Sequence, residues 1–218
     1  MIVTGDLVTD PSAAAYERVR ELLAPLDPPV YVIAGNHDDR DALREYFAPG
    51  ERDTGAAGAP FQYSADLPDL RLVVLDSTVP GEEEGRLDRE RLAWLATELA
   101  AAAGIATVVA VHHPPVLSSF PAFDEIGLPA ADRGGFADVL AGHPQVQRVI
   151  CGHIHRAFFE TLAGCGVAVC PSTWLQSPLE IGMTEINLEP EPAAFMVHAT
   201  TEAGVVSHVQ PIGGVRRG

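Results

Sequence analysis

The segment ATVVAV at residues 106–111 carries no charged side chain and is rich in β-branched residues. A strand of this kind is buried on both faces, which is typical of a parallel sheet with helices on each side. Other segments alternate with it: strand-like ones at residues 2–7, 30–34, 61–65, 70–76 and 146–151, and helix-like ones at 13–24, 40–47 and 88–102. The alternation predicts an α/β fold.

The last third of the chain has a different pattern. A long loop at residues 114–133 leads to a helix around 135–141, and strand-like segments follow at 167–170, 183–188, 194–200 and 205–210. We expect these later strands to build a second sheet, so that residues 1–218 form one domain, a layered α/β/β/α sandwich. Phe120 and Phe123 in the long loop either form a lip beside a site or pack on the protein.

Charge and cysteine content weigh against several classes of protein. The 30 acidic residues outnumber 14 basic ones, all arginine, and give a formal net charge of −16. Such acidity disfavours binding to nucleic-acid polymers, which require a basic surface. We find neither a bilayer-spanning apolar run nor a signal-peptide pattern, so we expect a cytoplasmic protein that does not bind membranes. The three cysteines lack CxxC spacing, and we expect buried, reduced thiols.

Metal-capable residues follow four of the predicted strands. These motifs are GD at residues 5–6, GNHD at 35–38, VHHPP at 111–115 and GHIH at 152–155. Ligands of open α/β sheets bind beyond the carboxyl ends of the strands, so four such ends imply one shared site. Five of the eight histidines lie in these motifs, which favours a common function over five separate structural roles.

The donor atoms in these motifs indicate the kind of metal. Asp6 and Asn36 offer oxygen, the histidines offer nitrogen, and the set contains no thiolate. This combination favours Mn, Fe, Zn or a similar divalent ion with open positions over a closed structural zinc site. If the GHIH backbone is extended, His153 and His155 point to the same side and could reach two adjacent ions.

The four motifs, in this order and spacing, resemble those of the calcineurin-like metallophosphoesterases. The tracts GNHDDRDALREYF and LDSTVPGEEEGRLDRERLAWL are similar to those of the bacterial class III cyclic-nucleotide phosphodiesterases. The resemblance extends to about residue 180 and implies a two-metal phosphoesterase.

The resemblance also implies roles for individual residues. Asp6 would bridge two metals, and His155 would bind the first of them. The second metal would be completed by Asn36, His112 and His153. Asn36 and His37 would contact the substrate phosphate. The alternative role for His37 is to protonate the leaving group.

Three further residues are expected to support this site. His113 aligns beside the ligand His112 and would hold the ligands in place from behind. Asp38 and Arg40 would orient His37 or the substrate, although for Arg40 we favour a solvated loop charge. Asp76 ends a strand and would either support the site or cap a turn.

One element of the family pattern is missing from the sequence. The family begins with a D-x-H strand whose Asp and His hold the first metal, whereas this sequence begins on the GD strand itself. We therefore expect an N-terminally truncated form of the fold in which the first metal keeps only Asp6 and His155. One bound metal rather than two is then expected, and an unpaired strand edge beside residues 2–7 would favour a homo-oligomer.

The sequence thus predicts a metal-dependent hydrolase of cyclic nucleotides or related small phosphodiesters, acting by metal-hydroxide attack on phosphorus. Two alternatives stay open. The first is a phosphomonoesterase or protein phosphatase of the same fold. The second is a non-catalytic scaffold, since one retromer subunit resembles this fold and works through protein contacts.

Overall fold

The computed structural model describes residues 1–47 and 55–213. In chain order its elements are β1 (Ile2–Val3), α1 (Ala13–Leu23), β2 (Tyr31–Val32), α2 (Arg40–Phe47), β3 (Tyr63–Asp66), β4 (Arg71–Leu75), α3 (Arg89–Ala101), β5 (Thr107–Val111), α4 (Pro121–Glu125), α5 (Ala130–Ala141), β6 (Val146–Cys151), β7 (Phe158–Leu162), β8 (Cys165–Val169), β9 (Ala194–Thr201) and β10 (Gly204–Pro211).

A six-stranded sheet in the order β3-β4-β5-β6-β8-β7 forms the centre of the fold. Strands β4, β5, β6 and β8 run parallel, and β3 and β7 pair antiparallel at the two edges. Every residue of β5 is buried, as the apolar composition of residues 106–111 predicts. Two smaller sheets accompany it: a parallel pair β1–β2 and an antiparallel hairpin β9–β10.

Helices cover the central sheet through two separate apolar clusters. One face packs against α3, α4 and α5 through a cluster that includes Leu95 and Phe136. The other face packs against β1, β2, α1 and α2 through a cluster that includes Tyr16 and Leu43, with Val205 of the hairpin at its margin. The predicted mixed α/β architecture, a central sheet flanked by helices, is confirmed.

Local capping signals fix where two of the helices begin. The Ser12 hydroxyl accepts the N–H of Ala15 at 3.4 Å, and the Asp88 carboxylate accepts the N–H of Arg91 at 2.9 Å. Each side chain satisfies one of the backbone donors that the first turn of a helix leaves unpaired. Helices α1 and α3 therefore begin within one residue of the positions that the sequence predicts, residues 13 and 88.

Three predictions about the later part of the chain are wrong. Helix α4 interrupts the loop predicted at residues 114–133, and α5 begins at Ala130 rather than near Gly135. Residues 183–188 form no strand, and within the part of the chain that the structure describes the only β-bridge near them joins Gln176 and Glu189. The later strands do not form one second sheet, because β8 joins the central sheet and only β9 and β10 pair separately.

Physical reasons for these differences are visible in the contacts. Phe120 and Phe123 are both buried, so burial of aromatic side chains organises α4, and neither ring forms an exposed lip. Met183 is buried, and its carbonyl accepts the N–H of Ala122 at 3.1 Å, which ties this stretch to α4 rather than to a strand. Strand β7, absent from the prediction, has the sequence FFETL, but none of its residues is buried, so no core face marks it as a strand.

Across residues 1–47 and 55–213, no helix combines the length and the apolarity that crossing a bilayer requires.

Candidate metal centre

The four motifs meet at the carboxyl ends of β1, β2, β5 and β6. The Asn36 Oδ1 atom lies 3.1 Å from Nε2 of His112 and 3.1 Å from Nδ1 of His153. Oδ2 of Asp6 lies 3.3 Å from the same Nε2 of His112. The structure thus brings together the four side chains that the sequence assigns to one metal.

His112 is held in a single orientation. The ring is buried, and its Nδ1 lies 2.7 Å from the carbonyl oxygen of Thr4. Because a carbonyl can only accept, Nδ1 carries the proton and donates it. Nε2 is therefore the nitrogen that faces Asp6 and Asn36, which is how the outer hydrogen bond of a metal-binding histidine sets its tautomer.

The charges at this point favour a cation. Burial alone would raise the pKa of Asp6, but the nearby His112 and the N–H of His37 hold that pKa well below its usual range. Burial alone would lower the pKa of His112, yet the Asp6 carboxylate and the Thr4 carbonyl raise it. A carboxylate, an amide oxygen and an imidazole nitrogen that face one another repel unless a proton or a metal ion lies among them.

The spacing of these atoms fits a transition-metal ion. With metal–ligand distances of ~2.1 Å, neighbouring ligand atoms lie ~3.0 Å apart in an octahedral site and ~3.4 Å apart in a tetrahedral one. The three observed separations are 3.1, 3.1 and 3.3 Å. The Nε2 atom of His153 is also buried and has no hydrogen-bond partner within the described residues, so this ring has a nitrogen open to a further ligand.

The GHIH backbone is not extended, which corrects the geometry assumed from sequence. His153 and His155 have φ values of 70° and 56°, and Asp6 has a φ of 54°. These left-handed conformations cost ~1–3 kcal/mol each in non-glycine residues and cluster where a site requires them. Ile154, between the two histidines, is buried in the core beneath the site and anchors the turn.

No hydrogen bond or ion pair joins the His155 side chain to these four residues within the described part of the chain. Its Nδ1 is 3.1 Å from the carbonyl oxygen of Leu175, and its Nε2 has no hydrogen-bond partner among the described residues. Burial lowers its pKa, and the Asp6 carboxylate opposes that shift only in part. A neutral imidazole with one free nitrogen is the form that binds metals.

His113 has both nitrogens engaged and is less suited to bind a metal. His112, His113 and His153 each offer a ligand atom within 4.8 Å of the others. The Nδ1 of His113, however, is 2.8 Å from the Ser77 hydroxyl, and its Nε2 is 3.0 Å from the Glu83 carbonyl oxygen. Burial lowers the pKa of His113 to about 3. The centroid of its ring lies 4.4 Å from that of His153, with the two ring planes tilted by 53°, so its contacts match a supporting role.

The GNHD loop exposes His37 and turns Asp38 inward. His37 donates its backbone N–H to Oδ1 of Asp6 at 3.1 Å, while its side chain is open to solvent. Among the described residues, no hydrogen bond joins the Asp38 side chain to His37. Instead it accepts the N–H groups of Leu7 and Gly35, at 3.2 and 3.0 Å. Burial raises the pKa of Asp38 to about 6.

Asp76 and Arg40 pair with each other in the interior, so Arg40 is not the solvated loop charge that the sequence favoured. Their Oδ2 and Nε atoms are 2.7 Å apart in a buried ion pair. Asp76 also accepts the N–H and the hydroxyl of Thr78, at 2.7 and 2.8 Å, and the N–H of Phe61 at 2.7 Å. These contacts match the turn-capping alternative for Asp76.

Several contributors to the site give no signal in the sequence. Thr4 acts through its carbonyl, which every residue possesses, and Ser77 is one serine among several. Tyr16 donates its hydroxyl to Oδ1 of Asp38 at 3.3 Å from helix α1, where the apolar periodicity indicates only a core residue. The aromatic side chain of Trp174 follows no motif and lies on the loop that contacts His155.

Comparisons with known proteins find similar sequences with descriptions in common. The family model described as calcineurin-like phosphoesterase matches residues 1–157. A protein of Synechococcus sp. named as a probable cyclic nucleotide phosphodiesterase is 35% identical over 198 residues, which cover 88% of this chain and 72% of that protein. A protein of Arcobacter nitrofigilis named as a probable glycerophosphodiester phosphodiesterase is 30% identical over 98% of this chain and 78% of its own length.

A solved structure shares the fold. The dimetal phosphatase from Danio rerio superposes with a TM-score of 0.64, at 19% identity, over 96% of this chain and 82% of that one. At this level of identity the similarity concerns the fold alone.

Proposed function

Because this chain belongs to the calcineurin-like phosphoesterases, a family of hydrolases, we propose that it is a metal-dependent phosphodiesterase of cyclic nucleotides or related small phosphodiesters. The observation that carries the proposal is the contact of four side chains at one point: Oδ1 of Asn36 lies 3.1 Å from both His112 and His153, and His112 lies 3.3 Å from Asp6. Relatives named for cyclic-nucleotide and glycerophosphodiester substrates support the diester class.

These four residues would hold one divalent ion, of which Mn, Fe and Zn suit the donors. His155 and Asp6 would contribute to a second ion. When bound, such ions lower the pKa of water to ~7 and polarise a phosphoryl oxygen. The chain's own contribution is to orient the ligands, through Thr4 for His112 and through Leu175 for His155.

His37 would act on the substrate rather than bind a metal. Its backbone N–H fixes it against Asp6, and its side chain is exposed; within residues 1–47 and 55–213 no hydrogen bond joins that side chain to His112 or His153. From there the imidazole would donate a hydrogen bond to the phosphate or a proton to the leaving oxygen.

The loop at residues 172–177 would provide the substrate's second contact. It is fastened to the GHIH turn by the N–H of Ser177 to the carbonyl of His155, at 3.1 Å, and by the Ser177 hydroxyl to the carbonyl of Ile154, at 2.6 Å. Trp174 lies on this loop with 64% of its surface exposed. An exposed indole beside a phosphate site suits a diester that carries a planar aromatic group, such as a nucleobase.

Hydrolysis assays on metal-stripped and Mn²⁺-loaded protein test the proposal. We expect Mn²⁺-dependent hydrolysis of bis-(p-nitrophenyl) phosphate and of 3′,5′-cyclic AMP, with slower hydrolysis of p-nitrophenyl phosphate. Asn36→Ala should abolish the activity, whereas His208→Ala, which changes an exposed histidine of β10, should retain it. Faster hydrolysis of the monoester than of the diesters would favour a phosphomonoesterase. A protein that hydrolyses none of these substrates, whether or not it binds metal, would favour a scaffold.

A further inference from the structure

Two loops that carry candidate ligands are joined by a single carboxylate. Asp38 accepts the N–H of Leu7 with both oxygens at 3.2 Å, and the N–H of Gly35 with Oδ2 at 3.0 Å. Leu7 directly follows Asp6, and Gly35 directly precedes Asn36. One side chain thus fixes the backbone on either side of the gap between these two ligands.

The joined loops are in close contact. A Cβ atom added to Gly35 would collide with the carboxylate and the backbone nitrogen of Asp6. The N–H of His37 also bonds Asp6 at 3.1 Å. The distance between the loop of Asp6 and the loop of Asn36 is therefore nearly fixed while Asp38 keeps its hydrogen bonds to Leu7 and Gly35.

Tyr16 closes the arrangement from helix α1. Its side chain is fully buried and stacks on Tyr46 with ring centroids 5.8 Å apart. Its hydroxyl donates to Oδ1 of Asp38 at 3.3 Å and accepts the N–H of Asp39 at 2.7 Å. A buried hydroxyl with both roles satisfied fixes the rotamer of the carboxylate that it contacts.

We propose that Tyr16 and Asp38 are positioning residues of the metal centre, which hold the loop of Asp6 against the loop of Asn36 at the spacing that a divalent ion requires. The inference rests on the proposed function, since it assumes that Asp6 and Asn36 bind a metal. It assigns to Tyr16 a role that its place on the apolar face of α1 does not indicate. It also gives Asp38 a role distinct from orienting His37.

The test is Co²⁺ binding to the whole chain, followed by the visible d–d spectrum, for the wild type, Tyr16→Phe and Asp38→Asn. Removal of partners that orient metal ligands typically costs ~10–100-fold in metal affinity. We expect about a 10-fold loss for Tyr16→Phe, a larger loss for Asp38→Asn, and a changed d–d spectrum in both. The matched control is Tyr46→Phe, which removes a hydroxyl without a hydrogen bond in the described residues and should bind Co²⁺ as the wild type does.

A second measurement separates positioning from general loss of stability. In the metal-free protein, hydrogen exchange at the amides of Leu7 and Gly35 should accelerate in Asp38→Asn while the amides of β5 keep their protection. Wild-type affinity and spectrum in Tyr16→Phe and Asp38→Asn would overturn the inference and leave the proposed function intact. Failure of the wild type itself to bind Co²⁺ would instead overturn the metal centre, and the inference with it.

Discussion

The carbonyl oxygen of Thr4 accepts a hydrogen bond from Nδ1 of His112 at 2.7 Å, across 108 residues of chain. It joins the end of β1 to the end of β5 and turns Nε2 of His112 toward Asp6. The contact has little room around it, because Cβ atoms added to Gly5 or Gly152 would collide with His112 or with Thr4. This hydrogen bond between a backbone carbonyl and a ring nitrogen sets the geometry of the candidate metal centre.

The first prediction concerns this crowded contact. Gly152→Ala should push the Thr4 carbonyl away from His112, release the ring from its tautomer and lower Mn²⁺ affinity by ~10–100-fold. Isothermal titration of Mn²⁺ into the metal-stripped protein measures the change. Gly134→Ala is the matched control: that glycine lies in α5 with open space around it, so its replacement should leave affinity unchanged and stabilise the helix by up to ~1 kcal/mol. Equal affinity in both variants would contradict the role of the Thr4–His112 bond.

His37 is predicted to serve the reaction without holding the metal. His37→Ala should lower kcat for bis-(p-nitrophenyl) phosphate by ~10²–10⁴-fold, the usual contribution of a general acid. Metal content, measured by mass spectrometry of the protein, should stay at the wild-type value because the backbone N–H to Asp6 survives the substitution. Loss of metal from this variant would show that His37 is a ligand.

Trp174 is predicted to select among phosphodiesters. Stacking of a base on an aromatic side chain contributes ~1–3 kcal/mol, so Trp174→Ala should raise KM for cyclic AMP by ~5–100-fold. KM for an aliphatic diester such as glycerophosphocholine should change little. Trp174→Phe keeps a planar ring and should restore much of the difference. A parallel change for both substrates would mean that the indole does not contact the aromatic group.

Binding can be followed without turnover. The chain has two tryptophans, and Trp94→Phe leaves Trp174 as the single indole. Quenching of its fluorescence by AMP is expected in that variant, and glycerol phosphate should produce none.

The buried pair of Arg40 and Asp76 is predicted to stabilise the fold rather than the metal centre. Asp76→Ala leaves the Arg40 guanidinium buried without its partner, which costs ~3–5 kcal/mol. Denaturant unfolding of the metal-free protein measures this loss. Glu21→Ala breaks the exposed pair with Arg18 and should cost less than ~1 kcal/mol. If Asp76→Ala remained stable but lost Mn²⁺ affinity, Asp76 would belong to the site after all.

Local signals were sufficient for much of the fold. Arg40–Phe47 and Val146–Cys151 have the bounds that the sequence predicts, because the buried residues that define them lie within the segments themselves. Helix α4 could not be predicted in this way, since it is organised by burial of Phe120 and Phe123 among residues distant in sequence. Strand β7 is held by pairing with β8 across a turn at Ala163 and Gly164, both at positive φ, and its own residues are largely exposed.

For the candidate site, too, the sequence accounts for some features and only the tertiary structure for others. Identity and order of the candidate ligands follow from the sequence alone, because glycine, aspartate, asparagine and histidine recur after apolar strands whose carboxyl ends must meet. The tertiary structure decided how each side chain is held: His112 by the Thr4 carbonyl, His113 by Ser77 and Glu83, and Asp38 by Tyr16. These partners are backbone carbonyls, a serine and a core tyrosine, which occur throughout the chain. Their roles arise only from proximity after folding, so no pattern of residue types could have shown them.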